Sequence, residues 1–193
     1  PVVYADWLHA EGKPTILVYG HYDVQPVDPL NLWETEPFDP TVRDNKLYAR
    51  GASDDKGQVY MHVKAIEALF KTNGTLPVNV KFCIEGEEEI GSPNLPEYVE
   101  NNKTKLAADI IVISDTGMQG PGKPAVCYGL RGLAGVQIDV KGPKGDLHSG
   151  LYGGGVQNPI HALVEILASF RDQEGTIQIE GFYDNVREAT AEE

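Results

Sequence analysis

Apolar residues recur along this chain in two alternating rhythms. Thr15-Ile-Leu-Val-Tyr19 is a continuous apolar, β-branched run that stops at Gly20, as a strand buried on both faces would. From Lys56 to Lys71 the spacing changes: Val59, Val63, Ile66 and Phe70, with Leu69 beside them, fall at helical intervals and end near Asn73-Gly74. Val78–Ile84 and Asp109–Ser114 read as further strands, with a helical segment from Leu95 to Lys103 between them. Strands separated by helices predict an α/β fold, a mainly parallel sheet flanked by helices, with its first strand at Thr15. Between Val24 and Asp44 runs a Pro- and Asp-rich excursion, followed by a short strand at Lys46-Leu-Tyr48.

Near Gly129-Leu-Arg-Gly132 the pattern shifts, which places a domain boundary at Arg131, with residues 1–130 as one domain and 131–193 as the start of another. Val136-Gln-Ile-Asp-Val140 alternates apolar and polar like a strand with one wet face. A Gly-rich loop spans Gly142 to Gly155. A helix is then expected from Pro159 to Arg171, burying Ile160, Leu163, Leu167 and Phe170. Gly153-Gly-Gly155 is read as a flexible loop, because no Gly-Lys-Ser/Thr follows it as a phosphate loop requires. The chain opens at Pro1 with no secretory signal and closes on a polar, helical-looking run from Ala189 to Glu193, so a piece of a longer protein is expected.

Composition narrows the function. Sixteen Lys and Arg against 29 Asp and Glu give a net charge of −13. So acidic a surface repels phosphate backbones and anionic lipid, and excludes nucleic-acid and membrane binding as expected roles. No apolar run is long enough to cross a bilayer. A charged share of 23% beside a hydrophobic share of 41% is that of a soluble globular protein. Cys83 and Cys127 cannot form a disulfide scaffold and read as reduced, half-buried residues of a cytoplasmic chain.

Four clusters lie just past predicted strand ends, the edge where open α/β sheets bind ligands: Gly20-His-Tyr-Asp23, Ser53-Asp-Asp55, Glu85-Gly-Glu-Glu-Glu89 and Ser114-Asp115. Each alone has an ordinary reading, as a solvated pair or an exposed acidic turn. Together, that many carboxylates repel one another unless cations neutralise them. A two-metal hydrolase needs this inventory: imidazole and carboxylate ligands, a bridging carboxylate, and a further carboxylate to take a proton from the attacking water. His21 and Asp23 are two residues apart, so on an extended segment both point the same way, and Asp23 can fix the tautomer of His21.

At these residues the sequence resembles the M20 family of metallopeptidases. Gly20-His-Tyr-Asp-Val-Gln-Pro26, Arg50-Gly-Ala-Ser-Asp-Asp-Lys-Gly57 and Glu85-Gly-Glu-Glu-Glu-Ile-Gly-Ser92 match its metal-binding signatures in order and spacing. Trp33, Pro37-Phe38 and Gly181-Phe-Tyr-Asp184 are similar to its dipeptidase branch. The resemblance implies a zinc-exopeptidase-like catalytic domain followed by part of an α+β lid, through which the full-length protein forms a homodimer. It implies two divalent ions, zinc first, with manganese or cobalt suiting the same ligands. His21 and Asp115 become ligands to one ion, Asp54 the bridge, Glu89 a ligand to the other, and Glu88 the general base. It implies a cis Asp54–Asp55 peptide bond and an active-site role for Asp23. It also implies a role for His148 in holding the oxyanion in a partner's site. The implied reaction is hydrolysis of dipeptides or other short peptides. The alternatives are deacylation or desuccinylation of N-acyl amino compounds, or a non-catalytic binding domain that keeps the fold.

Ordinary readings stand beside these. Asp23 also suits a loop hydrogen bond and His148 a surface loop, while His62 and His161 read as helix residues and Asp55 and Glu87 as neighbours that tune the field. The family's second histidine ligand has no match among the remaining histidines. It is therefore expected beyond Glu193, and the piece by itself is expected to be inactive and weakly metallated.

Overall fold

A computed structural model describes residues 1–191. The chain divides into two compact units, Pro1–Gly129 and Leu130–Glu193.

The first unit is built on a four-stranded sheet. Its strands are β1 (Val2–Trp7), β2 (Thr15–His21), β5 (Asn79–Glu85) and β6 (Ile110–Ile113), in the order β1-β5-β2-β6. β2 runs parallel to both β5 and β6, and β1 pairs antiparallel with β5. A separate hairpin joins β3 (Thr41–Arg43) to β4 (Lys46–Tyr48). The sheet is thus mainly parallel, as the alternation of strand and helix signals predicts. β1 is an addition at the edge, and it moves the start of the sheet ahead of Thr15.

Side chains of β2 and β5 alternate between two apolar clusters, one on each face. Val18 and Val80 pack with Leu76, Ile66 and Leu69, so α1 (Lys56–Asn73) covers one face. Leu17 and Cys83 pack with Leu106 and Tyr98, so α2 (Leu95–Asn101) and α3 (Lys103–Leu106) cover the other. α1 ends where Gly74 takes a left-handed conformation and donates its N–H to the Phe70 carbonyl. Lys81 is buried in β5, and its ammonium is satisfied by the Ala107 carbonyl at 2.6 Å. β6 lies at the sheet's edge with Ile110, Ile111 and Ile113 exposed.

In the second unit α4 (Ser149–Tyr152) is a single turn and α5 (Pro159–Ala168) is a regular helix, capped by the Asn158 side chain, which accepts from the Ile160 N–H at 2.8 Å. A cleft of about 820 Å³ between residues 142 and 161 belongs to this unit alone. Several expectations fail here. Val136–Val140 forms no strand, because among the described residues nothing pairs with it, and an unpaired strand leaves its backbone groups without partners. α5 stops at Ala168, and its apolar side is not buried: Ile160 is 68% and Leu167 50% exposed. Of the polar run expected to be helical from Ala189 to Glu193, residues 189–191 form no helix, and Glu192 and Glu193 lie outside the described residues. Cys83 is buried, but Cys127 is exposed rather than half-buried, since residues 124–130 form no element that would cover it.

Candidate metal centre

The parallel strands deliver three of the acidic clusters to one edge, and the fourth, Ser53–Asp55, stands at the start of α1. β2 ends in His21, whose side chain is fully buried. Gly20 before it has no room for a side chain: a Cβ there would meet Asp55 Oδ2 and Val59 at 2.6 Å. That close approach lets Asp55 Oδ2 accept the His21 N–H at 3.1 Å. Asp55 precedes α1 and is joined to Asp54 by a cis peptide bond, as the resemblance implies.

The imidazole is held from both sides. Nδ1 lies 3.1 Å from the Asp23 carbonyl and 3.3 Å from Asp23 Oδ1, both acceptors, so the ring proton belongs on Nδ1. In the neutral ring Nε2 then carries the lone pair. It faces Asp54 Oδ1 at 3.1 Å, Asp115 Oδ2 at 3.5 Å and Glu88 Oε2 at 3.9 Å. Three carboxylates around a lone pair hold together only with a shared proton or a cation between them. Two groups have ligand atoms within 4.8 Å of one another: His21, Asp54 and Glu89; and His21, Glu88 and Asp115. Imidazole nitrogen with carboxylate oxygen is the donor set of zinc and of neighbouring divalent ions, so the residues fit a divalent metal.

Glu88 and Glu89 sit on a 3-10 turn, Glu88–Ile90, rather than on an extended strand, and both therefore reach His21. Asp23 secures that turn by accepting the Glu88 N–H at 3.3 Å on Oδ1 and the Glu89 N–H at 3.0 Å on Oδ2. Asp23 thus touches the histidine and the turn of the two glutamates at once.

Charge crowding shifts the titration of the metal-free site. Burial raises the Asp115 carboxyl above its ordinary range, and Asp54 raises it further against an opposing pull from His21. Glu88 is raised by burial, with His21 opposing and Asp115 and Glu89 adding to the rise. Asp55 is raised by burial, against the His21 N–H it accepts, and its Oδ1 is buried without a partner. Burial pushes the His21 imidazole down, but Asp115, the Asp23 carbonyl and Glu88 outweigh it and leave it above its ordinary value.

His21, Asp23, Asp54, Glu88, Glu89 and Asp115 come together in the first unit. His148 stands in the second, at the N-cap of α4, where Nδ1 accepts the Gly150 N–H at 3.0 Å and the neutral ring carries its proton on Nε2. Two contacts lay beyond the sequence reading. Gln25 donates its side-chain amide to Glu89 Oε2 at 2.7 Å, and His62 on α1 meets Ser114 Oγ at 2.7 Å, next to Asp115. The first had a signal, since Gln25 lies inside the Gly20–Pro26 motif. The second had none, because it joins a helix face to a strand end 52 residues away.

Residues 17–193 match the family described as Peptidase family M20/M25/M40. The chain is 42% identical over its whole length to the Cys-Gly metallodipeptidase dug1 of Schizosaccharomyces pombe, of which it covers 41%. To the human Beta-Ala-His dipeptidase it is 43% identical, again over its whole length, covering 38% of that relative. Among solved structures, the M20 family metallo-carboxypeptidase Sso-CP2 from Sulfolobus solfataricus aligns with all of the chain at a TM-score of 0.78 and 42% identity, the chain covering 43% of it. Human carnosine dipeptidase 1 aligns with all of it at a TM-score of 0.71 and 41% identity, with 41% of that structure covered. The chain therefore spans about two fifths of the length of the relatives it matches.

Proposed function

Because the chain belongs to peptidase family M20/M25/M40, in its dipeptidase branch, we propose that the full-length protein hydrolyses the peptide bond of dipeptides and similarly short peptides. One observation carries the reading: Nε2 of a fully buried histidine faces three carboxylates, those of Asp54, Asp115 and Glu88, within 4 Å. Two divalent ions, zinc first and manganese or cobalt by the same donor chemistry, would be held by His21 and Asp115 on one side, Glu89 on the other and Asp54 between. Bound there, they supply the acidification of the attacking water and polarise the scissile carbonyl.

The chain's own residues do the rest. Glu88, raised above its ordinary range by burial and by its acidic neighbours, takes a proton from the water as its oxygen adds to the carbonyl carbon. It then gives that proton to the leaving amine as the C–N bond breaks. Asp23 keeps the proton on His21 Nδ1 and so keeps Nε2 free to ligate. Residues 131–193 are read as the start of a lid and dimerisation domain and residues 1–130 as part of the catalytic domain. On that reading His148, with its proton on Nε2, donates to the oxyanion in the site of a partner copy. Two free cysteines suit a cytoplasmic protein, and no helix among the described residues is long and apolar enough to cross a membrane.

The test is a substrate panel on the full-length protein reconstituted with zinc, manganese or cobalt. Cys-Gly and β-Ala-His are expected to be cleaved, and N-acyl amino acids to be cleaved far more slowly. Preference for the N-acyl compounds would replace the dipeptidase reading with a deacylase. Less than one ion per chain and no turnover would leave a binding domain.

A further inference from the structure

Glu85 is the last residue of β5 and is 2% exposed, yet it belongs to neither group of candidate ligands. Its Oε1 accepts two hydroxyls. One is the phenol of Tyr19 on the adjacent strand β2, and the other is Ser92 Oγ at 2.8 Å. Ser92 sits at the far end of the turn that carries Glu88 and Glu89. That turn is closed on itself, with the Gly91 N–H donating to the Glu88 carbonyl and the Ser92 N–H to the Glu87 carbonyl, each at 2.8 Å. Ser92 holds a left-handed backbone at φ 52°, a conformation uncommon for residues other than glycine. The near end of the turn is fixed as well. The Tyr22 N–H donates to the Glu85 carbonyl at 2.9 Å, and Gly86 leaves room for the Tyr22 ring, which a Cβ would meet at 2.4 Å.

Asp23 accordingly holds the middle of the turn through the Glu88 and Glu89 N–H groups, and Ser92 holds its far end. With the near end held at the strand and the middle by Asp23, Ser92 adds the anchor that fixes the far end. A buried carboxylate oxygen is costly unless hydrogen-bonded, so Oε1 favours the arrangement in which Ser92 is seated. We propose that Glu85 is a positioning residue, its buried carboxylate clamping Ser92 to Tyr19 and thereby fixing the turn that aims Glu88 and Glu89 at His21. The inference rests on the reading of Glu88 as base and Glu89 as ligand, and adds what holds them there.

The experiment compares Ser92→Gly and Tyr19→Phe with the wild type, all as full-length protein. It measures cobalt affinity by the visible absorption of the bound ion, kcat and KM on a dipeptide, and melting temperature. Ser92→Gly removes the hydroxyl while suiting the left-handed backbone, so it is expected to fold. Tyr19→Phe removes the second hydroxyl without changing any backbone preference. Each is expected to weaken cobalt binding and kcat by about 10–100-fold, the range for residues that orient ligands. KM should stay within about twofold, because the contacts that bind substrate are not touched. Should either folded variant match wild type in affinity and kcat within about twofold, whatever its melting temperature, the clamp is overturned. A wild type that neither binds cobalt nor cleaves a dipeptide overturns the peptidase reading instead.

Discussion

In Pro1–Gly129 the apolar residues of β2 and β5 find cover on both faces of the sheet, whereas in Leu130–Glu193 the apolar side of α5 stays in water. The two sequences look equally periodic. What differs is the supply of partners: α1 lies over one face of the first unit's sheet and α2 and α3 over the other, while no described residue of the second unit is buried. Amphipathic spacing dictates that a helix forms, but burial depends on a second surface being present. The chemistry follows the same division. The residues that need exact placement, His21 and the carboxylates around it, stand on the packed unit, and the lone His148 stands on a short turn of the other.

The largest effect expected from that division is on Glu88. Glu88→Ala in the full-length protein should lower kcat by about 10²–10⁴-fold, the contribution of a positioned general base. Steady-state kinetics retaining most of kcat would break the assignment of chemistry to the first unit. His148→Ala should cost somewhat less, about 10²–10³ in kcat, as the loss of one oxyanion donor does. An unchanged kcat would reduce the second unit to a structural part.

Stability gives a finer contrast. In the 193-residue chain, Leu17→Ala removes a side chain packed against Cys83 and Leu106 and should cost about 2–5 kcal/mol in denaturant unfolding. Leu167→Ala, on the exposed side of α5, should change stability by no more than about 0.5 kcal/mol. Similar costs for the two would mean that the units are packed alike.

The smallest expected effect is the pH response of the metal-stripped chain. Asp115, Glu88 and Asp55 are raised when folded, so they favour folding while protonated, and that contribution disappears as pH rises through their raised values. His21 is raised too and acts in the same direction. Melting temperature in a chelator should therefore fall as pH rises from the ordinary carboxylate range to beyond the ordinary imidazole value. Saturating zinc should flatten the slope, and an identical slope with and without metal would show that these groups are not crowded.

Much of this was legible before any coordinates. Three strands of the sheet follow from apolar runs that end in glycine or acid, and three of the four acidic clusters stand directly after them, while Ser53–Asp55 stands at the start of α1. β1 was not legible, because Val2–Trp7 becomes a strand only by pairing with β5, some eighty residues away. The missing strand at Val136–Val140 is the converse: the right alternation with no neighbour to pair with. Within the site, a motif supplies residues in order, but it did not distinguish Glu85, buried among hydroxyls, from Glu87, whose carboxylate meets the Asn94 side chain. That distinction depends on which way the turn folds back from the strand.

The edge strand β6 has a practical consequence. Along Ile110–Ile113 the sheet ends in a short apolar ladder whose outer amides and carbonyls, among the described residues, meet no neighbouring strand. Such an edge templates pairing between molecules. Preparations of this chain on its own should therefore cloud as they are concentrated, and a lysine introduced at Ile111 should keep them clear.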